Sequence, residues 1–289
     1  MLNEGMKSFI ALALKEDLGR GDVTSESSVP ADLHQEGYIL AKETGVVAGV
    51  EVAKEVFYQM DPSIKFTAEM HDGDNVKYGD VVIKVEDPAR SILSGERQAL
   101  NFMQRMSGIA TRTSEIMKIL DGTPTKVLDT RKTTPGLRAF EKWAVNIGGG
   151  VNHRMGLYDM ILLKDNHVDY AGGMTEALTQ VVEYLRGQDE DIPVVIEKRS
   201  FEEIDAALEA EEKTGLKIKR ILLDNFSHAE VAEAVKKYEG RAVFEASGGI
   251  NPENVRGYGD AGVHFVSMGY MTHSVKSLDL SLKSTPNVK

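Results

Sequence analysis

Three groups of basic residues in the middle of the chain have the types and spacing needed to bind a substrate with several negative charges. Arg131 and Lys132 are adjacent, His153 and Arg154 follow, and Lys164 closes an apolar run. An arginine guanidinium can hold a carboxylate or a phosphate through two parallel hydrogen bonds. A lysine after an apolar run needs a partner, because burying an unpaired ammonium is costly. Lys164 could bind an anion or form a Schiff base.

Two acidic residues end later apolar runs. Glu197 follows Val194 to Ile196, and Asp224 follows Ile221 to Leu223. Carboxylates in such positions can hold Mg²⁺ through water, accept hydrogen bonds from sugar hydroxyls or stabilise a developing cation. They can also serve as ion-pair partners of the neighbouring lysines and arginines. The sequence alone leaves both interpretations open.

A glycine-rich segment later in the chain has the composition of a phosphate site. Residues 247–249, Ser-Gly-Gly, follow an apolar run and precede a predicted helix start at residues 252–254. Glycines before a helix N-terminus leave backbone N–H groups available to phosphate. Gly269 and residues 272–274 follow the next run and could complete the site, since barrels often bind phosphate after their late strands.

The elements that must position these residues are short apolar runs, each ending in polar residues. Six clear runs and a weaker one occupy residues 127–128, 160–163, 194–196, 221–223, 242–244, 263–266 and, weakly, 145–147. Buried parallel strands read as such runs, and α/β barrels carry their chemistry at the carboxyl ends of their strands. A segment of about 160 residues is short for an eight-stranded barrel, which typically has ~250. We therefore predict an incomplete, seven-stranded α/β barrel.

The part of the chain before the barrel predicts a separate α+β domain. Its expected elements are an amphipathic helix at 9–14, strands at 38–41, 46–50 and 81–85, a helix at 52–60 and a long helix from Ser94 to about Leu120. Ser94 is the expected cap of that helix, and Gly108 is an expected kink. We predict domains at 1–112 and 113–274, with the tail 275–289 packing back on the first domain.

Four further polar residues have simpler interpretations. Asp22 and Thr24 are typical of a turn. Arg97 and Arg105 lie on the predicted long helix, where surface charge is the default and a role in a partner subunit's site is the alternative.

The composition excludes several classes of protein. The 289 residues include no cysteine, so disulfides, iron–sulfur clusters and cysteine nucleophiles are ruled out. The net charge of -11 argues against nucleic acid as a partner. No apolar stretch approaches the ~18 residues of a membrane span, and we expect a cytoplasmic protein. The chain also lacks a Walker loop, a GxGxxG motif after a first strand and a Ser-His-Asp order.

The ordered set of motifs resembles the quinolinate phosphoribosyltransferase family, also called nicotinate-nucleotide pyrophosphorylase (carboxylating). The resemblance runs nearly end to end. Its blocks lie at residues 16–24, 94–101, 129–133, 135–138, 148–154, 164–167, 222–226, 245–250 and 272–274.

The resemblance implies a fold, an assembly and a reaction. The fold is an N-terminal α/β sandwich domain followed by a seven-stranded α/β barrel. The assembly is a homodimer, or a larger oligomer, in which one subunit's N-terminal domain closes the other's barrel mouth. The reaction joins quinolinate to phosphoribosyl pyrophosphate, with Mg²⁺, and gives nicotinate mononucleotide, pyrophosphate and carbon dioxide in de novo NAD synthesis.

The resemblance also implies roles for individual residues. Arg131, His153 and Arg154, with Arg97 from the neighbouring subunit, contact the quinolinate carboxylates. Lys132 and Lys164 lie beside both substrates, and Glu197 and Asp224 face the ribose and the metal; these four form the implied catalytic set. The residues around the 5′-phosphate are Ser247, Gly248, Gly249, Gly269 and His273.

The chain departs from the family pattern at one strand. The family usually has acid-apolar-acid-apolar around Glu197, whereas here Val195 replaces the first acid, and Lys198 and Arg199 add positive charge. This departure bears on the metal site.

Three functions are alternatives to quinolinate phosphoribosyl transfer. They are a paralogue with another acid acceptor, a Schiff-base aldolase using Lys164, and a non-catalytic barrel that senses a nucleotide.

Overall fold

The computed structural model describes residues 2–189 and 191–284, and the chain divides into two compact units. The first unit contains the residues up to Glu115, Thr133–Gly150 and the residues from Met271 on; the second contains Ile116–Lys132 and Val151–Tyr270. The predicted domain limits, 1–112 and 113–274, stay a prediction. Residues 285–289 of the predicted tail lie outside the described residues.

The described residues form helices and strands with the following bounds. The helices are α1 Glu4–Leu18, α2 Val23–Ser28, α3 Val50–Met60, α4 Ala89–Ile119, α5 Arg138–Ile147, α6 Asp165–Ala171, α7 Met174–Leu185, α8 Phe201–Thr214, α9 His228–Lys237, α10 Val255–Asp260 and α11 Tyr270–His273. The strands are β1 Glu36–Ala41, β2 Gly45–Val46, β3 Lys65–Ala68, β4 Asn75–Val76, β5 Val81–Glu86, β6 Lys126–Leu128, β7 Ile161–Leu163, β8 Val194–Lys198, β9 Ile218–Asp224, β10 Phe244–Ser247, β11 Phe265–Ser267 and β12 Leu280–Lys283. None of these helices combines the length and the apolar character needed to span a bilayer.

A four-stranded sheet in the order β12-β1-β5-β3 organises the first unit. All its pairings are antiparallel, and β12 pairs with β1 from Ala41–Leu280 to Tyr38–Lys283. The predicted helix at 52–60 is confirmed as α3, whose buried residues include Val52, Val56 and Phe57. The predicted strand at 46–50 is wrong beyond Val46, because α3 begins at Val50.

The long helix α4 is confirmed, but its start differs from the prediction. It begins at Ala89, and Ser94 lies inside it, where its hydroxyl donates a hydrogen bond to Asp22 Oδ2 at 2.9 Å. Asp22 instead caps α2, as its carboxylate accepts from the backbone N–H groups of Thr24 and Ser25. A Cβ on Gly108 would lie 2.3 Å from the Lys276 carbonyl oxygen. The glycine therefore permits the backbone of residues 275–277 to pass close to α4.

The weak apolar run at 145–147 is helical, so the strand predicted there is wrong. Its residues close α5, whose buried side chains are at 140, 141, 142, 144 and 145, and two pairs of them, 140 with 144 and 141 with 145, are four residues apart. Phe140 packs against Phe9 of α1 and Phe102 of α4, with ring centroids 5.8 and 5.0 Å away. These contacts explain why this segment clusters with the first unit.

The second unit is built on a six-stranded parallel sheet in the order β6-β11-β10-β9-β8-β7, with helices between successive strands. Val151 adds a single parallel bridge to Leu128 beyond β6, and this bridge takes the place of a seventh strand. The arrangement is the incomplete α/β barrel predicted from the sequence.

The two faces of the sheet carry different residues, because successive side chains of a strand point to opposite faces. Leu163, Val194 and Ile196 pack on the helix side with Leu178 and Ala207. Met160, Val195 and Leu222 form a smaller apolar cluster on the other face, called here the inner face. Alternation places Lys164, Glu197, Asp224 and Ser247 on the inner face at the carboxyl ends of four neighbouring strands.

Candidate active site

Lys164 and Glu197 form an ion pair between the ends of β7 and β8. The Lys164 ammonium donates to Glu197 Oε2, and the two side chains are 45% and 8% exposed. The Lys164 backbone N–H donates to His167 Nδ1 at 3.1 Å, which fixes the turn into α6. The lysine is therefore satisfied by a partner while its exposed ammonium stays accessible to an anionic ligand.

Asp224, at the end of β9, accepts two side-chain hydrogen bonds and lies near one arginine. Ser247 Oγ donates to its Oδ1 at 3.1 Å, and Asn225 Nδ2 donates to its Oδ2 at 2.9 Å. Arg199 Nε lies 3.8 Å from the same Oδ2, while its Nη1 lies 2.5 Å from Asp165 Oδ2. The Asp224 carboxylate is thus held by hydrogen bonds beside the strand that carries Ser247.

Lys198 and Arg199, which follow Glu197, have different surroundings. Lys198 is buried on the helix side of the sheet, where burial lowers the pKa of its ammonium and Glu203, 3.8 Å away, opposes that effect. Of these two cations, Arg199 forms an ion pair with an inner-face acid, Asp224. Val195, where the resemblance leads us to expect an acid, is fully buried in the apolar inner cluster.

The loop after β6 brings Arg131 and Lys132 into the same unit as His153 and Arg154. Asp129, fully buried, accepts the His153 backbone N–H at 2.8 Å and so ties the two segments together. Arg154 Nη1 donates to the Met160 carbonyl oxygen at 3.1 Å. Burial, and then the positive charge of Arg131, lowers the pKa of Arg154.

The His153 ring is turned into the protein. Its side chain is 8% exposed, and Nε2 lies 3.4 Å from Oε1 of the fully buried Glu245. Nδ1 accepts the backbone N–H of Arg154 at 2.7 Å. The ring therefore has a protein partner on each nitrogen, and its predicted contact with a substrate carboxylate stays a prediction.

The glycines of the predicted phosphate site have conformations that other residues adopt rarely. Gly248 has φ of 100°, and a Cβ there would lie 2.1 Å from Asn225 Oδ1. Gly249 has φ of 59°. The helix that follows, α10, begins at Val255 with Asn254 as its N-cap, at the end of the predicted start 252–254. Asn251 and Asn254 form a turn of mutual hydrogen bonds before it. Gly269 lies between β11 and α11.

Two predicted ligands belong to the first unit. Arg97 is exposed on α4, and it forms no ion pair within residues 2–189 and 191–284. His273 is exposed in α11, with Nδ1 2.6 Å from Ser274 Oγ. Their relation to the other predicted site residues stays a prediction.

Arg105 is not a surface charge, so the default interpretation of this residue is wrong. Its side chain is 24% exposed, and Nη2 lies 2.8 Å from Oε1 of the fully buried Glu141 on α5. It also donates to the Thr272 carbonyl oxygen. Arg105 therefore joins three segments of the first unit.

Sequence reasoning missed three buried charged residues of the second unit: Asp129, Arg220 and Glu245. Each is at most 6% exposed. The sequence pattern could have identified two of them. Arg220 precedes one apolar run and Glu245 follows another, and alternation along the strands assigns both positions to the inner face.

The donor set suits one mode of Mg²⁺ binding. Among the described residues, no three His, Asp or Glu side chains converge as a metal site. Mg²⁺ is usually held by one or two carboxylates together with water and substrate phosphates. Glu197 and Asp224, which end adjacent strands, fit that mode.

Comparison with known proteins identifies the family of this chain. The family models "Quinolinate phosphoribosyl transferase, N-terminal domain" and "C-terminal domain" match residues 22–107 and 109–283. The quinolinate phosphoribosyltransferase [decarboxylating] 1b of Nicotiana tabacum is 46% identical over 288 residues, covering 96% of this chain and 82% of that protein. The probable nicotinate-nucleotide pyrophosphorylase [carboxylating] of Bacillus subtilis is 42% identical, covering 93% and 90%.

Solved structures agree with these sequence matches. NadC from Streptococcus pyogenes superposes with a TM-score of 0.91 at 36% identity, covering 98% of this chain and 97% of that one. The nicotinate-nucleotide pyrophosphorylase from Francisella tularensis gives 0.90 at 34% identity, with the same coverage. The chain belongs to the quinolinate phosphoribosyltransferase family.

Proposed function

We propose that this enzyme transfers the phosphoribosyl group of phosphoribosyl pyrophosphate to quinolinate and removes one carboxyl group as carbon dioxide. The product is nicotinate mononucleotide, a precursor in NAD synthesis. The observation that carries the proposal is the inner-face row of Lys164, Glu197, Asp224 and Ser247, in the same compact unit as Arg131 and Arg154.

The basic residues suit the acceptor. Quinolinate carries two carboxylates on adjacent ring atoms, and nicotinate carries one. Arg131 and Arg154, whose charges affect each other, would share the two carboxylates, with His153 nearby and Lys132 and Lys164 beside both substrates. Fixing the acceptor in this way supplies the orientation that a reaction between two substrates requires.

The acids suit the transfer step. The ribose C1–oxygen bond to pyrophosphate breaks, and a bond from C1 to the pyridine nitrogen forms. Positive charge develops on the ribose ring as the leaving group departs, and Glu197 and Asp224 would stabilise it electrostatically. The carbon–carbon bond to the carboxyl beside the nitrogen then breaks. Its electron pair is stabilised by the adjacent pyridinium nitrogen until that ring carbon takes up a proton.

Mg²⁺ is the proposed metal, with Glu197 and Asp224 as its protein ligands. When bound, it would neutralise charge on the pyrophosphate. Both acids already pair with cations, Lys164 and Arg199 respectively. These pairs compete with a metal ion, so metal binding should be stronger when the anionic substrate is present.

The remaining ligands surround the 5′-phosphate in this proposal. Ser247, Gly248 and Gly249 would bind it at the end of β10, with Gly269 after β11 and His273 in α11. The positive φ angles of the two glycines expose backbone N–H groups in a way that suits a phosphate.

The proposed assembly is a homodimer with shared sites, in which Arg97 contacts quinolinate in the partner subunit. Its exposure on α4 and its lack of an ion pair in the described part of the chain support this role.

We also propose a cytoplasmic location, which cell fractionation would test. Among the relatives, the Arabidopsis thaliana protein is named as chloroplastic and one from Nicotiana glauca as mitochondrial.

A turnover assay tests the proposed function. Purified protein with Mg²⁺ and phosphoribosyl pyrophosphate should convert quinolinate into nicotinate mononucleotide and carbon dioxide, and it should give no product from nicotinate. Product from nicotinate alone would contradict the proposal. With a carbonyl substrate, borohydride should trap no adduct on Lys164, because Glu197 already holds this side chain and the proposed reaction forms no Schiff base.

A further inference from the structure

A buried charged cluster lies on the inner face beneath the proposed site. Its centre is Glu245, two residues before Ser247 on β10 and fully buried. Oε1 accepts a hydrogen bond from Ser267 Oγ and lies 3.4 Å from His153 Nε2. Oε2 lies 2.9 Å from Arg220 Nε. No part of the proposed reaction uses these groups directly, although burying two charges is costly.

The cluster is balanced with Glu245 as an anion and Arg220 as its cation. Burial raises the pKa of Glu245, but the hydrogen bonds from His153 and Ser267 and the charge of Arg220 outweigh it, and the net pKa is lowered. The Arg220 guanidinium lies 5.1 Å from the centre of the Phe265 ring. Although Arg220 Nε and Glu245 Oε2 are close, they are not aligned as a hydrogen bond, so this pair acts through charge.

The hydrogen bonds of the His153 ring assign its tautomer. Nδ1 accepts the backbone N–H of Arg154, so Nδ1 carries no proton. The ring proton is therefore on Nε2, where it faces the Glu245 carboxylate. A second-layer carboxylate of this kind commonly fixes the orientation and tautomer of a histidine.

The ring in turn holds the start of Arg154. Its Nδ1 fixes the Arg154 backbone N–H, and the Met160 carbonyl oxygen fixes the guanidinium at 3.1 Å. Arg154 is thus anchored at both ends. A change in the ring orientation would move the first anchor and change the direction of the guanidinium.

We propose that Glu245 is a positioning residue for quinolinate: it fixes the His153 ring, which sets the backbone of Arg154 and thereby aims the Arg154 guanidinium at a substrate carboxylate. This inference rests on the proposed function. It gives His153 an indirect role, through the Arg154 backbone, rather than direct contact with the substrate.

A matched pair of variants tests the two ring nitrogens. The His153→Asn side chain can place an oxygen near the position of Nδ1 and keep the bond to Arg154. The His153→Gln side chain can place an amide near Nε2 and keep the bond to Glu245, but it loses the Nδ1 acceptor. Quinolinate binding, measured by calorimetric titration without phosphoribosyl pyrophosphate, should weaken at least tenfold in His153→Gln and clearly less in His153→Asn. A larger loss in His153→Asn would overturn the proposal.

A double-mutant cycle tests whether the effect passes through Arg154. His153→Gln should weaken quinolinate binding in the unmodified chain but change it less than about twofold in an Arg154→Ala background. An equal loss in both backgrounds, with quinolinate binding to the unmodified protein, would overturn this inference alone. No quinolinate binding by the unmodified, folded protein would overturn the proposed function and this inference with it.

The role of Glu245 needs a readout besides binding. Nitrogen NMR of labelled histidine should show His153 with its proton on Nε2, and the signal can be assigned by its loss in His153→Gln. Glu245→Gln should change that signal and weaken quinolinate binding while phosphoribosyl pyrophosphate binding stays within about twofold of normal. If Glu245→Gln does not fold, Ser267→Ala removes one donor to the same carboxylate and should give the same changes in smaller measure. A proton on Nδ1 in the unmodified protein would contradict the proposal.

Discussion

The Lys164 ammonium and the Glu197 carboxylate neutralise each other across the ends of β7 and β8. Lys164 is half exposed and Glu197 is nearly buried. An anionic substrate that draws Lys164 away would release a buried carboxylate, which in the proposed reaction faces the ribose. Substrate binding and the availability of Glu197 are therefore linked by this one ion pair.

Glu197→Gln should lower the rate of nicotinate mononucleotide formation at least about 100-fold, because the amide cannot stabilise positive charge on the ribose. Steady-state kinetics would measure this loss. Glu209→Gln, which breaks an exposed pair with Lys213, is the matched control and should leave the rate unchanged. A rate within about threefold of normal in Glu197→Gln would refute the role given to this residue.

Arg199→Ala should strengthen Mg²⁺ binding, because it removes a cation 3.8 Å from Asp224. Exposed ion pairs contribute about 1 kcal/mol or less, so the Mg²⁺ concentration for half-saturation should fall by up to about fivefold. Titration of metal binding in the presence of pyrophosphate would measure it directly. Arg241→Ala, which removes a cation paired with Glu212 on the surface, is the control. Weaker metal binding in Arg199→Ala would show that Arg199 supports the site.

Gly248→Ala should reduce both stability and phosphoribosyl pyrophosphate binding. The new Cβ would lie 2.1 Å from Asn225 Oδ1, and the φ of 100° is unfavourable for alanine. We expect a loss of about 1–3 kcal/mol in the free energy of unfolding. Denaturant unfolding and ligand titration are the measurements. Gly187→Ala, where the nearest atom is 3.7 Å from the added Cβ, should behave like the unmodified protein.

Asp22→Ala should destabilise the first unit in a pH-dependent way. Hydrogen bonds from the Ser25 side chain and backbone, and from Ser94, lower the pKa of Asp22 to about 2. A depressed carboxyl pKa stabilises the folded state above pH ~4, and this contribution is lost as the pH falls towards 2. Loss of the cap should cost about 1 kcal/mol at pH 7, and the difference from the unmodified protein should shrink between pH 4 and 3. A difference independent of pH would mean that the carboxylate charge is not involved.

The shared site predicted for a dimer has its own test. Arg97→Ala and Arg131→Ala chains should each be nearly inactive, and mixing them under conditions of subunit exchange should restore up to about a quarter of the activity, because one site in a mixed dimer is intact. Mass measurement of the mixed dimer is the control for exchange. No recovery in confirmed mixed dimers would place both arginines in one subunit's site.

Most of the second unit could be predicted because its strands are buried on both faces and read as plain apolar runs. The same runs located Glu197 and Asp224, since a charged residue that ends a buried strand is costly to bury and is therefore expected at the open end of the sheet. The segment 145–147 was mistaken for a strand because its alternation is too short to reveal the helical spacing of Phe140, Glu141 and Ala144. The ion pairs Arg105–Glu141 and Arg199–Asp165 join residues far apart in sequence, so local sequence patterns could not predict them.

The pairing of β12 with β1 has a consequence for how the chain is made. Ala41 leaves the ribosome early, but its strand partner Leu280 is among the last described residues to be synthesised. Until then one edge of β1 has unpaired backbone groups, which are a template for association with other chains. The first sheet can be completed only after the second unit has been synthesised, so nascent chains stalled before β12 should be the form of this protein most dependent on chaperones.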